Sequence, residues 1–228
     1  MHRRAICLAG IMALILLHGN AHSAGEREAH VLKVVERHGV ALRDRPGGRI
    51  LAVVGDRTEF GSPRTFAIVA RRADHWLGVV TPELPNGRIG WINARSSSLA
   101  PALVSMRIEV DLSRRQLTVL ARGRVLRRMS VAIGAAASPT PVGIFAVTDK
   151  LPGSRFSASY GCCILALSGH QTKLPPGWSG GDRLAIHATQ DRRDIGQRVS
   201  AGCVRGLDAD LRYLMHVVPL GTAVVIRS

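Results

Sequence analysis

The sequence predicts a mainly β chain built as two units: a small barrel, then a larger β-rich domain closed by a C-terminal helix. Three observations predict it. Short apolar runs recur between Pro/Gly turns over residues 31–93, the pattern of a small barrel. From residue 106, apolar residues alternate with polar ones across tight turns, as in a β-meander. Only near the C-terminus does the period change: Leu211, Leu214, Met215 and Val218 share one helical face.

Each element has a local reason. Val40-Ala41-Leu42-Arg43 runs into the turn Asp44-Arg45-Pro46-Gly47-Gly48. Residues 66–70 and 76–81 are β-rich, and Pro85-Asn86-Gly87 turns into Arg88-Ile89-Gly90-Trp91-Ile92. Residues 96–105, with Ser96-Ser97-Ser98 and few large apolar groups, read as a linker between a unit at 30–95 and a domain at 106–228. In that domain Ile108, Val110 and Leu112 alternate, Arg114-Arg115 turn the chain, and Leu117 and Val119 alternate again. Gly123 turns into a third strand over 125–133. Strands are expected at 144–148, 184–187 and 223–226. Asp208 is the expected N-cap of the terminal helix, which Pro219 and Gly221 end.

The chain has 228 residues, 46% hydrophobic and 21% charged, which excludes a largely disordered or collagen-like protein. Four cysteines are too few for a disulfide-stapled miniprotein, and no glycine-rich phosphate loop of a standard type is present. Lys and Arg number 31 against 16 Asp and Glu, for a net charge of +15. Such a field attracts polyanions. Aromatics are only 4% and no basic helix interleaves them, so no nucleic-acid partner is expected. His2, Arg3 and Arg4 precede an apolar run at 5–17, followed by small residues near 21–24. This is the layout of an export signal over 1–24, too short to span a bilayer. An extracytoplasmic protein is expected, membrane-anchored if the segment is not cleaved.

The richest segment holds His187, then Ile195-Gly196, then Ser200-Ala201-Gly202-Cys203-Val204-Arg205. A thiol becomes nucleophilic when an imidazole takes its proton. Gly202 permits close backbone approach and offers amides to an oxyanion, and Arg205 can grip a carboxylate. A buried structural cysteine with an unrelated strand histidine is the plainer alternative. The complete pattern resembles the catalytic signature of the L,D-transpeptidase (YkuD-like) family. Ser138-Pro139-Thr140-Pro141-Val142-Gly143-Ile144-Phe145 is similar to that family's Thr-Pro-x-Gly-x-Phe segment, and the likeness runs over about 106–227. Ala188 and Ala201 depart from the residues common in the family, Gly at the first position and His or Lys at the second.

The resemblance implies an exported enzyme in which His187 is the base and Cys203 attacks the stem-peptide carbonyl preceding a terminal D-Ala. Gly202 and Cys203 amides would hold the oxyanion, and Ser200 would position His187 and the loop. The thioester would pass to the side-chain amine of a neighbouring stem, giving a 3→3 cross-link. If water took the amine's place, the protein would be an L,D-carboxypeptidase; an inactive wall-binding protein is a further alternative. Peptidoglycan stem peptides are the implied partners, as acyl donor and acceptor, and no cofactor is required. Tyr160 is a candidate lining residue of the donor groove. The stretch Val40-Ala41-Leu42-Arg43-Asp44-Arg45-Pro46-Gly47, with Trp76-Leu77-Gly78-Val79 and Gly90-Trp91-Ile92, resembles bacterial SH3-like domains, which implies a cell-wall contact or a purely supporting role.

Other signals carry less. Adjacent Cys162 and Cys163 make three cysteines with Cys203 after the signal; one buried reduced thiol is the default, and a reversible bond to Cys203 is an alternative. A zinc site of Cys162, Cys163, His170 and His187 lacks a C-x-x-C pair. Gly177-Trp178-Ser179-Gly180-Gly181 matches G-x-S-x-G but is framed as a loop, not a strand-to-helix elbow.

Overall fold

A computed structural model of the chain describes residues 29–36, 39–72 and 74–228. The expected export signal at 1–24 lies outside the described residues. The N-terminal unit holds β1 (Ala29–Val34), β2 (Val40–Arg43), β3 (Ile50–Val54), β4 (Thr65–Arg71), β5 (Trp76–Val79), β6 (Gly90–Asn93) and β7 (Leu99–Val104). They form one sheet in the order β3-β2-β6-β5-β4-β1-β7. The β2–β3 turn closes through the Arg43 guanidinium, whose Nη1 donates to Gly48 O at 2.6 Å. Alternation buries Leu42, Phe66, Val79 and Ile92 in a core of their own. Trp91 belongs to the buried set and Trp76 does not.

The stretch expected to be a linker, 96–105, is corrected: most of it is β7, paired antiparallel with β1 from Ala29↔Val104 to Val34↔Leu99. The polar serines and the scarcity of large apolar groups hid the strand, which contains Pro101. At a sheet edge a residue without an N–H is tolerated, and β7 is such an edge.

The C-terminal domain follows after one residue. It contains β8 (Met106–Asp111), β9 (Gln116–Ala121), β10 (Arg124–Ser130), β11 (Ile133–Gly134), β12 (Gly143–Pro152), β13 (Cys163–His170), β14 (Arg183–Thr189), β15 (Arg198–Ser200), β16 (Val204–Leu207), α1 (Asp208–Val217) and β17 (Ala223–Arg227). Eight of the strands form a sheet in the order β10-β9-β8-β17-β12-β13-β14-β16, and β11 pairs with β15. The mainly β class with a terminal helix is as the sequence predicts. The expected strand over 125–133 is two strands, β10 and then β11, which leaves the meander to pair with β15.

Leu211 and Leu214 of α1 are buried in one core with Phe145, Leu165, Leu184 and Ile186. Asp208 is not the N-cap. It is the first helical residue, preceded by Leu207 as cap, and its Oδ1 accepts the Cys162 N–H at 3.0 Å. Its charge still favours the positive helix start, while its hydrogen bond ties α1 to the start of β13.

The two units are fastened to each other. Asn86 Nδ2 donates to His170 O at 2.7 Å, and the His170 N–H donates to Asn86 Oδ1 at 2.8 Å. The Thr58 hydroxyl donates to Asp149, which is fully buried. Ala67 and Val80 of the first unit share a buried cluster with Ala146 of the second. Asn86→Ala strips both partners from the His170 backbone. A loss of about 1–3 kcal/mol is expected for such partly buried groups, measured as a lowered denaturation midpoint with unchanged slope.

Candidate active site

The site is built on the pairing of β14 with β16. These strands run parallel, with His187 opposite Arg205 and Ile186 opposite Val204. Along β14 the side chains of Arg183, Ala185 and His187 point to one face, because a strand repeats every two residues. Cys203 enters β16 beside that face, its sulfur 3.9 Å from Arg183 O. Residues 190–203 form the crossover. Within it a short 3-10 turn, Arg192–Asp194, is capped by the Asp191 carboxylate, and β15 anchors the returning chain on β11.

The turn into Cys203 is held by Ser200. Its Oγ accepts the Gly202 N–H at 3.1 Å and donates to Cys203 O at 2.5 Å. Two expectations change accordingly. Ser200 shapes the nucleophile turn rather than touching His187. The Gly202 N–H, expected to face an oxyanion, is already spent on Ser200. Among the described residues the Cys203 N–H has no hydrogen-bond partner, so it remains the open amide of the turn.

Gly202 has φ of +119°, and a Cβ there would collide with the Gln171 side-chain amide. Glycine is therefore required on both counts. Gln171 is buried, and its Nε2 donates to Ala201 O at 2.9 Å, Pro139 O at 3.1 Å and Ser138 O at 3.2 Å. One amide thus fastens the turn before Cys203 to the 135–140 loop. No sequence signal marked Gln171, since it lies outside every motif.

His187 is 4% exposed. Its Nδ1 lies 2.7 Å from Ala188 O, a carbonyl that only accepts, so Nδ1 carries the proton and Nε2 keeps its lone pair. Burial pushes its pKa from 6.5 down to about 4, the Ala188 bond opposing and nearby Arg205 assisting. Burial also pushes the Cys203 thiol up, against the Ala185 backbone and Arg205. No hydrogen bond joins His187 to Cys203 among the described residues. Both shifts favour the neutral forms at rest, the imidazole on β14 and the thiol at the entry to β16.

Tyr160 stacks edge-on against His187, ring centroids 4.8 Å apart, and its phenol is pushed up, first by burial. Arg205 does not offer a free fork: Nη1 donates to Asp194 Oδ2 at 2.9 Å, which also accepts from Thr189 Oγ1 at 3.2 Å. Tyr160, His187, Cys203 and Arg205 line one narrow cleft. A wider one, about 460 Å³, adjoins it along Tyr160, the 180–183 segment and Cys203, and is walled further by Phe60, Phe156 and Ile164.

Cys162 and Cys163 are bonded to each other and Cys203 is free, so one of the three thiols is left reduced, in line with the default expectation, and the alternative bond to Cys203 is not formed in this structure. Ser179 lies in a loop between β13 and β14, without the flanking strand and helix of a nucleophile elbow. No group of three or more metal-ligating side chains is found among the described residues.

Residues 105–226 match the model of the YkuD family, described as the L,D-transpeptidase catalytic domain. The YkuD protein of Bacillus licheniformis, named as an L,D-transpeptidase, is 29% identical over 142 residues, covering 60% of this chain and 78% of its own. Its Bacillus subtilis namesake is 30% identical over 128 residues, 55% of this chain and 68% of its own. A solved L,D-transpeptidase from Enterococcus faecium is similar at 20% identity and a TM-score of 0.43, over 54% of this chain and 50% of that one. The present chain thus spans about half the length of that structure.

Burial of His187 has a consequence for stability. Below pH 6.5 the unfolded imidazole takes up a proton that the folded one refuses down to about pH 4. Stability from this group is therefore full above pH 6.5 and falls as pH drops through that window, by about 3 kcal/mol in all. Chemical denaturation at pH 7 and pH 4 should show that loss in the wild type and a loss smaller by this amount in His187→Gln.

Proposed function

The chain belongs to the YkuD family of L,D-transpeptidase catalytic domains, and on that premise we propose that it is an exported enzyme forming 3→3 peptidoglycan cross-links through a Cys203 thioester. The observation that carries this reading is the meeting of two clefts at Cys203, with His187 on the neighbouring strand. A transferase must hold an acyl donor and an acceptor on either side of one nucleophile, because an amine outcompetes water only when it is bound and oriented.

In this reading His187 Nε2 takes the Cys203 proton as the sulfur attacks the donor carbonyl. The tetrahedral oxyanion faces the Cys203 N–H, the open amide of the turn. His187 then returns the proton to the departing D-Ala amine, and the thioester remains. A neighbouring stem's amine attacks it, His187 again taking and returning the proton. Because thiol and imidazole both rest neutral, charge separation is confined to the reacting complex. Tyr160 packs His187 in place, and Ser200 and Gln171 keep the nucleophile turn in shape.

Export rests on the segment at 1–24, and the stem peptides of the wall are the proposed partners. The N-terminal unit is proposed as an SH3-like module that contacts the wall. A groove of about 370 Å³ on it, lined by Val40, Arg43, Trp76 and Asn93 among others, offers an aromatic face beside a cation for that purpose.

The test is mass spectrometry of residues 26–228 with a disaccharide-tetrapeptide. The wild type should gain an acyl mass at Cys203, release D-Ala and produce linked dimers. Cys203→Ala should do none of these, and His187→Gln should lose at least 100-fold in acylation rate, the scale of positioned general-base catalysis. Release of D-Ala without dimer would make the protein a carboxypeptidase. No acyl-enzyme in the folded, reduced protein would refute the reading.

A further inference from the structure

Arg183 is the strongest feature of the site that the proposed chemistry leaves unused. Its side chain is 12% exposed and forms part of the wider cleft that ends at Cys203. None of its three guanidinium nitrogens makes an aligned hydrogen bond. Its nearest counter-charge is Glu59 Oε1, 2.8 Å from Nη2, an ionic contact without hydrogen-bond alignment. Glu59 comes from the N-terminal unit and is itself 59% exposed. The ring of Phe60, the next residue, sits under the guanidinium with its centroid 5.6 Å from Cζ.

A buried guanidinium with open donors is costly unless something takes them. Arg205 is the less open of the two guanidinium groups: Asp194 holds its Nη1 at 2.9 Å, leaving Nε as its buried nitrogen without a partner, against three on Arg183. The position of Arg183 fits a ligand of the site: on β14 it shares a face with His187 four residues on, roughly 13 Å away at the strand rise, and its own carbonyl touches the Cys203 sulfur.

Resting on the transpeptidase reading above, we propose that Arg183 binds the terminal carboxylate of the acyl-donor peptide, with Glu59 as the side chain that this carboxylate displaces. A bidentate carboxylate satisfies donors that Glu59 leaves unaligned. The displaced Glu59 swings to solvent, which its exposure permits. Such a contact selects donors in which one residue, carrying a free carboxylate, follows the attacked carbonyl. It also makes the N-terminal unit part of the substrate site, because both Glu59 and Phe60 belong to it.

The test measures calorimetric Kd values on the full chain carrying Cys203→Ala, which prevents turnover, for a disaccharide-tetrapeptide and for the same molecule amidated at its C-terminus. The acid should bind about 10- to 100-fold tighter than the amide, the range of a charge-assisted hydrogen-bonded contact. Arg183→Gln should erase the preference, weakening the acid far more than the amide. Glu59→Gln should tighten acid binding and leave amide binding alone. Glu59 is exposed, so this second variant keeps the proposal falsifiable if Arg183→Gln does not fold. Equal binding of acid and amide, equal weakening of both by Arg183→Gln, or no binding of either would overturn it. Absence of an acyl-enzyme on the wild type, with the acid preference intact, would refute the transpeptidase reading and leave the carboxylate subsite standing.

Discussion

Parallel pairing of β14 with β16 fixes where the candidate site residues stand. It sets His187 opposite Arg205 and delivers Cys203 to the mouth of a strand whose neighbour carries Arg183, Ala185 and His187 on one face. Parallel neighbours need a long crossover, and residues 190–203 supply it. Its end is not left loose: Ser200, Gln171 and the β11–β15 pair hold it at several points. Cys203 therefore follows a connection that is held at several points.

Burial governs the chemistry of that arrangement. Burial pushes the His187 imidazole pKa down and the half-buried Cys203 thiol pKa up, which favours the neutral form of both groups. An ion pair at rest would bring steady reactivity toward any electrophile. In the proposed reaction a neutral pair would confine reactivity to a bound acyl donor, with the developing charge facing the Cys203 amide and Arg205. The cost appears in folding, since a buried neutral histidine weakens the protein in acid.

Much of this was legible in the sequence, and the failures are instructive. The mainly β class, the terminal helix and the matched family domain follow from alternation at Ile108, Val110, Leu117 and Val119, from the spacing of Leu211 and Leu214, and from the run around Cys203. Strand β7 was hidden because Ala100, Pro101 and Ala102 carry no apolar alternation; only pairing with β1 makes them a strand. Asp208 was misread because a carboxylate at a helix start can serve a distant amide as well as its own. Side-chain partners across the fold, Gln171 with the 135–140 loop or Arg183 with Glu59, have no local signature at all.

The neutral resting pair is the claim on which this account of the site turns, and the pH profile of Cys203 alkylation tests it most directly. With iodoacetamide and the folded protein, the rate should stay low through neutral pH and rise in one step above the ordinary thiol range, with His187→Gln scarcely changing it. A rate plateau between about pH 5 and pH 8 that His187→Gln abolishes would reveal a resting thiolate–imidazolium pair and contradict the account.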